Sequence, residues 1–156
     1  MFDLTKIKKL RDIPKVQAGL RPNYTAQIFQ GRTSTYKDLN QRSNQIANRL
    51  IECGLEGQAR VGFIGKNSDR YFELLFGACK ANIVLVGVNW RLAPPEMQYI
   101  LKDAACEILF VGKEYEELVE DIKKECPTIR EVVGMDSSDF GESFIDNWFK
   151  NSSADE

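Results

Sequence analysis

The chain has 156 residues, 43% of them apolar and 28% charged, and a net charge of -2. That is the size of one ordinary domain, and a fold of this length buries about 70% of the surface its unfolded chain exposes. The slight negative charge offers no attraction to nucleic acid or anionic lipid, and the complete lack of histidine removes His-based nucleophilic triads, the commonest general base and the commonest metal ligand.

Cys53, Cys79, Cys106 and Cys126 stand too far apart for a Cys-x-x-Cys metal or redox spacing, and read as free thiols in a reducing compartment. The start, Met1-Phe2-Asp3-Leu4-Thr5-Lys6-Ile7, places an acid and a base where a secretory signal needs an apolar run. Residues 71–88 are apolar, but Glu73, Lys80 and Asn82 interrupt them well short of a membrane span. The expectation is a cytoplasmic protein with no membrane span and no nucleic-acid partner.

After an opening segment of mixed charge, residues 26–30 and 33–35 flank Gly31-Arg32 and read as a hairpin capping a sheet edge. Thr35 serves as a helix N-cap with Asp38 three residues on. Leu39, Ile46, Ala47, Leu50 and Ile51 recur at helical spacing, and Gly54 ends the helix. A buried strand is expected over 60–64, then a helix over 70–80 so apolar around its circumference that it implies cover on more than one side. The unbroken β-branched run 83–88 reads as a central parallel strand covered on both faces. Pro94 starts a helix with Met97, Ile100 and Leu101 on one face, and 107–111 is the next strand. Tyr115, Leu118, Val119, Ile122 and Cys126 mark a surface helix ended by Pro127, and 131–133 is a further strand. Such alternation gives an α/β fold, a mostly parallel three-layer α/β sheet with right-handed crossovers. Beyond Gly134 the composition shifts to Asp136-Ser137-Ser138-Asp139, and residues 135–156 read as loop-like or frayed, with a short helix around Phe144 to Phe149.

Gly62-Phe63-Ile64-Gly65-Lys66-Asn67-Ser68 has a Gly-Lys pair between strand and helix, but Arg60 and Asn67 stand where a phosphate loop needs Gly and Ser or Thr. It reads as a strand-to-helix turn with a solvated lysine. Asn89-Trp90-Arg91-Leu92 is the stronger candidate site, because loops at the carboxyl ends of parallel strands form the ligand crevice of open α/β sheets. Arg91 suits a phosphate or carboxylate and Trp90 an apolar tunnel. The competing reading packs Trp90 under the loop and pairs Arg91 with a neighbouring acid.

Tyr36-Lys37-Asp38-Leu39, then Lys80-Ala81-Asn82 running into Gly87-Val88-Asn89-Trp90-Arg91-Leu92, together resemble the N-terminal part of the AMP-forming acyl-CoA synthetases, ligases that activate carboxylates as acyl adenylates. The resemblance runs from about Tyr24 to the end. Asn82 stands where that family usually has Gly, and Gly87 where it usually has Pro. The Asn-Trp-Arg-Leu wording favours the fatty-acyl-CoA ligase branch.

The resemblance implies that residues 1–156 are a partial N-terminal subdomain of the large domain of an adenylate-forming enzyme. Mg, ATP, CoA as co-substrate and a fatty acid or other carboxylate belong to the full-length family member. The family's Ser/Thr/Gly-rich phosphate loop, its acids for magnesium and ribose and its C-terminal lysine have no match in this sequence. No catalytic residue and no bound cofactor or metal are therefore expected here; Asn89, Trp90 and Arg91 are candidates for lining a substrate or CoA channel. Open alternatives are the adenylation domain of a peptide synthetase and a free-standing, non-catalytic α/β binding module. Self-association through exposed apolar surface is a further expectation.

Overall fold

The computed structural model describes residues 4–136 and 145–156. After a 3-10 turn, helix α1 (Asp12–Leu20) opens with the Asp12 carboxylate accepting the Lys8 and Lys9 amides at 2.9 Å each. Strands β1 (Thr25–Phe29) and β2 (Arg32–Thr35) then form the hairpin. Its connection is the pair Gln30-Gly31, with φ of 47° and 80°, the left-handed pair that a tight hairpin turn requires. The hairpin is a separate antiparallel sheet packed on the helices that follow and does not cap the edge of the main sheet as expected.

Helix α2 (Tyr36–Glu52) starts with a complete capping box: the Thr35 hydroxyl accepts from the Asp38 amide at 3.2 Å, and the Asp38 carboxylate accepts from the Thr35 amide at 2.9 Å. The shorter aspartate closes the box as well as the usual glutamate would. After it come β3 (Arg60–Ile64), α3 (Asp69–Lys80), β4 (Val84–Val88), α4 (Pro94–Asp103), β5 (Ile108–Val111), α5 (Val119–Glu125), β6 (Glu131–Gly134) and the short α6 (Ile145–Trp148).

The four strands of the main sheet are parallel, in the order β4-β3-β5-β6. Side-chain alternation splits the interior in two. Ile108 and Phe110 of β5 face α2 and α3, among Ile46, Leu50, Leu74 and Trp148. Leu109 and Val111 face α4 and α5, among Met97, Leu101 and Ile122. This is the expected α/β class with a parallel sheet between two helical layers.

Three expectations change. The run 83–88 is not central: among the described residues β4 pairs only with β3, and its burial is uneven, with Val84 38% exposed. A β-branched run looks the same at an edge and in the middle of a sheet. Helix α3 buries Leu74 and Ala78 but leaves Phe72 42% exposed, so it lacks the full cover its composition implied. The end of the chain has the expected short helix and is loop-like after it, but it is anchored and not frayed: Ile145, Trp148, Phe149 and Ser152 are buried, and Trp148 donates to Glu131 of β6 at 2.6 Å. The rest of the expected loose segment, residues 137–144, lies outside the described residues.

Asn82 adopts φ 59°, the left-handed conformation that explains the family's usual Gly there and that Asn tolerates better than other side chains. Its carbonyl and side-chain oxygens accept from the amide and side chain of Gln58 at 2.7 and 2.8 Å, so the turn keeps its shape.

Candidate functional site

The chain passes from β3 to β4 on one side and then to β5 on the other, so the strand order reverses between β3 and β5. At such a switch point the connections diverge and leave a crevice beyond the carboxyl ends of the strands. A cleft of about 350 Å³ lies there, lined by Phe63, Gly65, Lys66, Ser68, Gly112 and Glu114 among others. Gly65 and Gly112 let the two loops approach: a Cβ on Gly65 would sit 3.0 Å from the Phe63 ring, and one on Gly112 would sit 3.4 Å from Gly65 Cα.

Lys66 bridges the loops by donating to Glu114 at 3.0 Å. This hydrogen bond raises the lysine's pKa and lowers that of the carboxyl, but both side chains are more than half exposed, so solvent screens the pair strongly. The Gly65-Lys66 turn, read from sequence as structural, thus lines the crevice.

The Asn89-Trp90-Arg91 loop stands at the end of β4, beside this cleft. The Asn89 side chain accepts from the Arg91 amide at 3.1 Å, and the Asn89 carbonyl accepts from the Leu92 amide at 3.1 Å, making a tight turn. Trp90 is half-buried, with Tyr115 at 6.4 Å between ring centroids and Lys66 over its ring at 5.5 Å. The exposed Arg91 lies over the same indole at 3.9 Å. Among the described residues no carboxylate forms an ion pair with Arg91, so its guanidinium rests on an aromatic ring with its donors toward solvent. Lys66 and Arg91 therefore both stand near Trp90, an arrangement able to meet an anionic group.

The described residues contain no group of three or more Cys, Asp or Glu arranged as a metal-ligating set. At the crevice Glu114 is engaged by Lys66, and Asp136 accepts from the Lys113 amide at 3.4 Å. These residues do not fit a magnesium site. The thiols are poor nucleophile candidates: burial pushes Cys53 and Cys106 up to about 11 and also raises Cys79 and Cys126.

Two further concavities were not legible in the sequence. An apolar groove of about 400 Å³ runs between the hairpin, α1 and α3, past Ile28, Phe29, Leu39, Phe72 and Phe76. A polar basin of about 410 Å³ lies over Arg42, Arg70, Glu73 and Asp146, which join α2, α3 and α6. Arg70 donates to Asp146 at 2.7 Å, Arg42 also donates to Asp146, and Arg42 forms an ion pair with the buried Glu73 at 2.8 Å. Each partner is an unremarkable surface-type residue in sequence, and the long separations gave no signal.

Parallel strands between two helical layers, with a crevice at the switch point, define an α/β domain of the open-sheet class. The chain belongs to the AMP-binding enzyme family, whose model matches residues 15–155. It is 38% identical over 125 residues to ScoC, a fatty acid–acyl-carrier-protein ligase of Streptomyces coeruleorubidus, covering 80% of this chain and 24% of that one. It is 34% identical over 106 residues to a feruloyl-CoA synthase of Amycolatopsis sp, covering 68% and 22%. Among solved structures, the anthranilate CoA ligase AuaEII in complex with anthranoyl-AMP matches with a TM-score of 0.87 and 27% identity, over 94% of this chain and 28% of that one. The N-terminal domain of FACL13 from Mycobacterium tuberculosis matches with a TM-score of 0.83 and 25% identity, over 94% and 36%. The chain spans about a quarter of the length of the curated relatives it matches.

Proposed function

We propose that these residues are the N-terminal part of a fatty-acid or related carboxylate ligase. In the whole enzyme a carboxylate oxygen attacks the α-phosphorus of ATP and displaces pyrophosphate. A thiol then attacks the carbonyl of the acyl adenylate and displaces AMP, leaving a thioester. The observation that carries this reading is the match of 94% of the chain, at a TM-score of 0.87 and 27% identity, to a carboxylate CoA ligase holding an acyl adenylate. Coenzyme A is the acceptor in the leading reading. The 38% identity to a ligase that loads an acyl carrier protein favours a carrier-bound thiol as the second.

The part played by this segment is scaffolding and channel lining. Asn89 fixes the loop, Trp90 supplies an apolar wall, and Arg91 with Lys66 meets the negative charge of a nucleotide or carboxylate. Adenylation requires donors aimed at the charge that develops on the transferring phosphoryl group, and the 156 residues carry no Gly/Ser/Thr-rich loop closed by a lysine. By themselves they are inactive. The bare edge of β4 makes the isolated chain prone to self-association.

Carboxylate-dependent exchange of pyrophosphate into ATP tests both statements. A family-length protein containing this segment should exchange with fatty or aromatic acids, and the 156-residue chain should not exceed a no-protein control. Exchange by the short chain would overturn its inactivity. A family-length protein silent across the acid panel would overturn the ligase reading and leave a non-catalytic α/β module.

A further inference from the structure

The last residues, Ser152-Ser153-Ala154-Asp155-Glu156, are polar and have no sequence feature that would order them. Yet their backbone is held by side-chain amides from one helix. Gln45 donates to the Ser152 carbonyl at 3.3 Å, Asn48 to the carbonyls of Ser153 and Asp155 at 2.8 and 2.9 Å, and Asn44 to the Ala154 carbonyl at 2.8 Å. The Ser152 hydroxyl donates to Glu52 at 2.8 Å. The four amide bonds all end on main-chain oxygens, so α2 fixes the path of the chain there, whatever side chains it carries.

Lys80, at the end of α3, sets the direction of this contact. Its side chain is 5% exposed, and its ammonium donates to Asn40 at 2.9 Å and to Asn44, with Glu156 at 3.9 Å. An ammonium has donors and no acceptor, so Asn44 must turn its oxygen toward Lys80. Its NH2 group then faces Ala154. Burial lowers the lysine's pKa, and the nearby Glu156 only partly offsets that. Glu156 is also held from the other side by Lys15 of α1 at 2.6 Å.

We infer that Lys80, Asn44 and Asn48 form a positioning device that fixes the backbone of residues 152–155, and with it the place of this segment in the whole ligase. The second half of that inference rests on the ligase reading above. The three side chains do not line the crevice; they act through the strap they hold. Lys80, whose type the Lys-Ala-Asn element singles out, thereby gains a role that the crevice does not give it.

Amide hydrogen exchange on the 156-residue chain tests the anchoring without any activity. Asn44→Asp keeps an oxygen for Lys80 but opposes a carboxylate to the Ala154 carbonyl, and Asn48→Ala removes two bonds from a half-exposed position that tolerates truncation. Each should speed exchange in peptides spanning 148–156 by about tenfold while the rest of the chain exchanges as before. Unchanged exchange in both variants would overturn the device. In a family-length protein, Asn44→Asp should lower kcat or raise KM for ATP by about tenfold to a hundredfold at an unchanged melting temperature. A strap that loosens while kcat and KM stay the same would remove the positioning role. A wild-type enzyme with no exchange activity would remove the ligase reading, and hydrogen exchange would still decide the anchoring.

Discussion

Gly77 of α3 lies against Ile46 of α2 so closely that a Cβ on the glycine would stand 2.5 Å from Ile46 Cγ2 and 3.1 Å from the Ser43 carbonyl. In an exposed helix, Ala in place of Gly is favourable by about 1 kcal/mol. Here the added methyl meets a buried side chain and backbone, so the helices must part. Gly77→Ala should therefore destabilise the protein by about 1–3 kcal/mol. Urea unfolding checks the sign, and a gain in stability would show that α2 and α3 separate freely.

Asp146 and Glu73 face the same arginine with opposite pH behaviour. Burial pushes the Asp146 carboxyl up, but Arg70 and Arg42 together outweigh it and hold it below the usual range. Burial raises Glu73, and Arg42 only partly offsets that. A depressed acid contributes stability above its ordinary value near 3.8 and loses it as pH falls through the lower folded value. A raised acid does the reverse: stability grows as pH falls from its folded value toward its ordinary 4.5. Unfolding midpoints measured between about pH 7 and about pH 3 should rise slightly and then drop. Glu73→Gln should abolish the rise and keep the drop, and a rise of the same size in that variant would remove Glu73 from the account. Asp146→Asn, with its side chain 29% exposed, should cost about 2 kcal/mol at neutral pH.

The edge strand β4 carries Val84-Leu85-Val86-Gly87-Val88, with no charge, proline or bulge to discourage a second strand. The isolated chain should associate with concentration in sedimentation velocity. Val84→Lys, at a position 38% exposed, should shift the population toward monomer at a stability change within about 0.5 kcal/mol. Equal sedimentation of the two proteins would remove the edge as the cause.

Arg91 rests on Trp90 with its donors toward solvent. In a family-length protein, Arg91→Ala should reduce kcat/KM by about tenfold, the scale of one hydrogen bond to a charged group. Its effect on the melting temperature should be slight, because an exposed cation over a ring contributes only about 0.5–1 kcal/mol. Wild-type kinetics with a marked loss of stability would make the pair a purely structural stack.

Much of the fold was legible because local signals and tertiary roles agreed. Thr35 and Asp38 cap α2, Pro94 opens α4, and residues 108–111 carry no polar interruption where β5 is fully buried. The position of β4 was misread, although one signal was present: the family's usual Pro at the place of Gly87 belongs to edge strands, where a missing amide costs least. The opening helix α1 went unread because its apolar spacing is weak and Asp12 serves the amides of Lys8 and Lys9 from inside the helix.

The sequence by itself determined the succession of strands and helices, the α/β class and the loop of Asn89, Trp90 and Arg91, because periodicity, caps and turn residues act over a few neighbours. Tertiary structure alone decided which strand lies at the edge, that Lys66 joins Arg91 over Trp90, and that Lys80 and the α2 amides hold residues 152–155. Those relations depend on groups up to 110 positions apart, as for Asn44 and Ala154. A polar side chain leaves no trace in its own surroundings of a partner that only the folded chain brings near, so that information appears once the layers have packed.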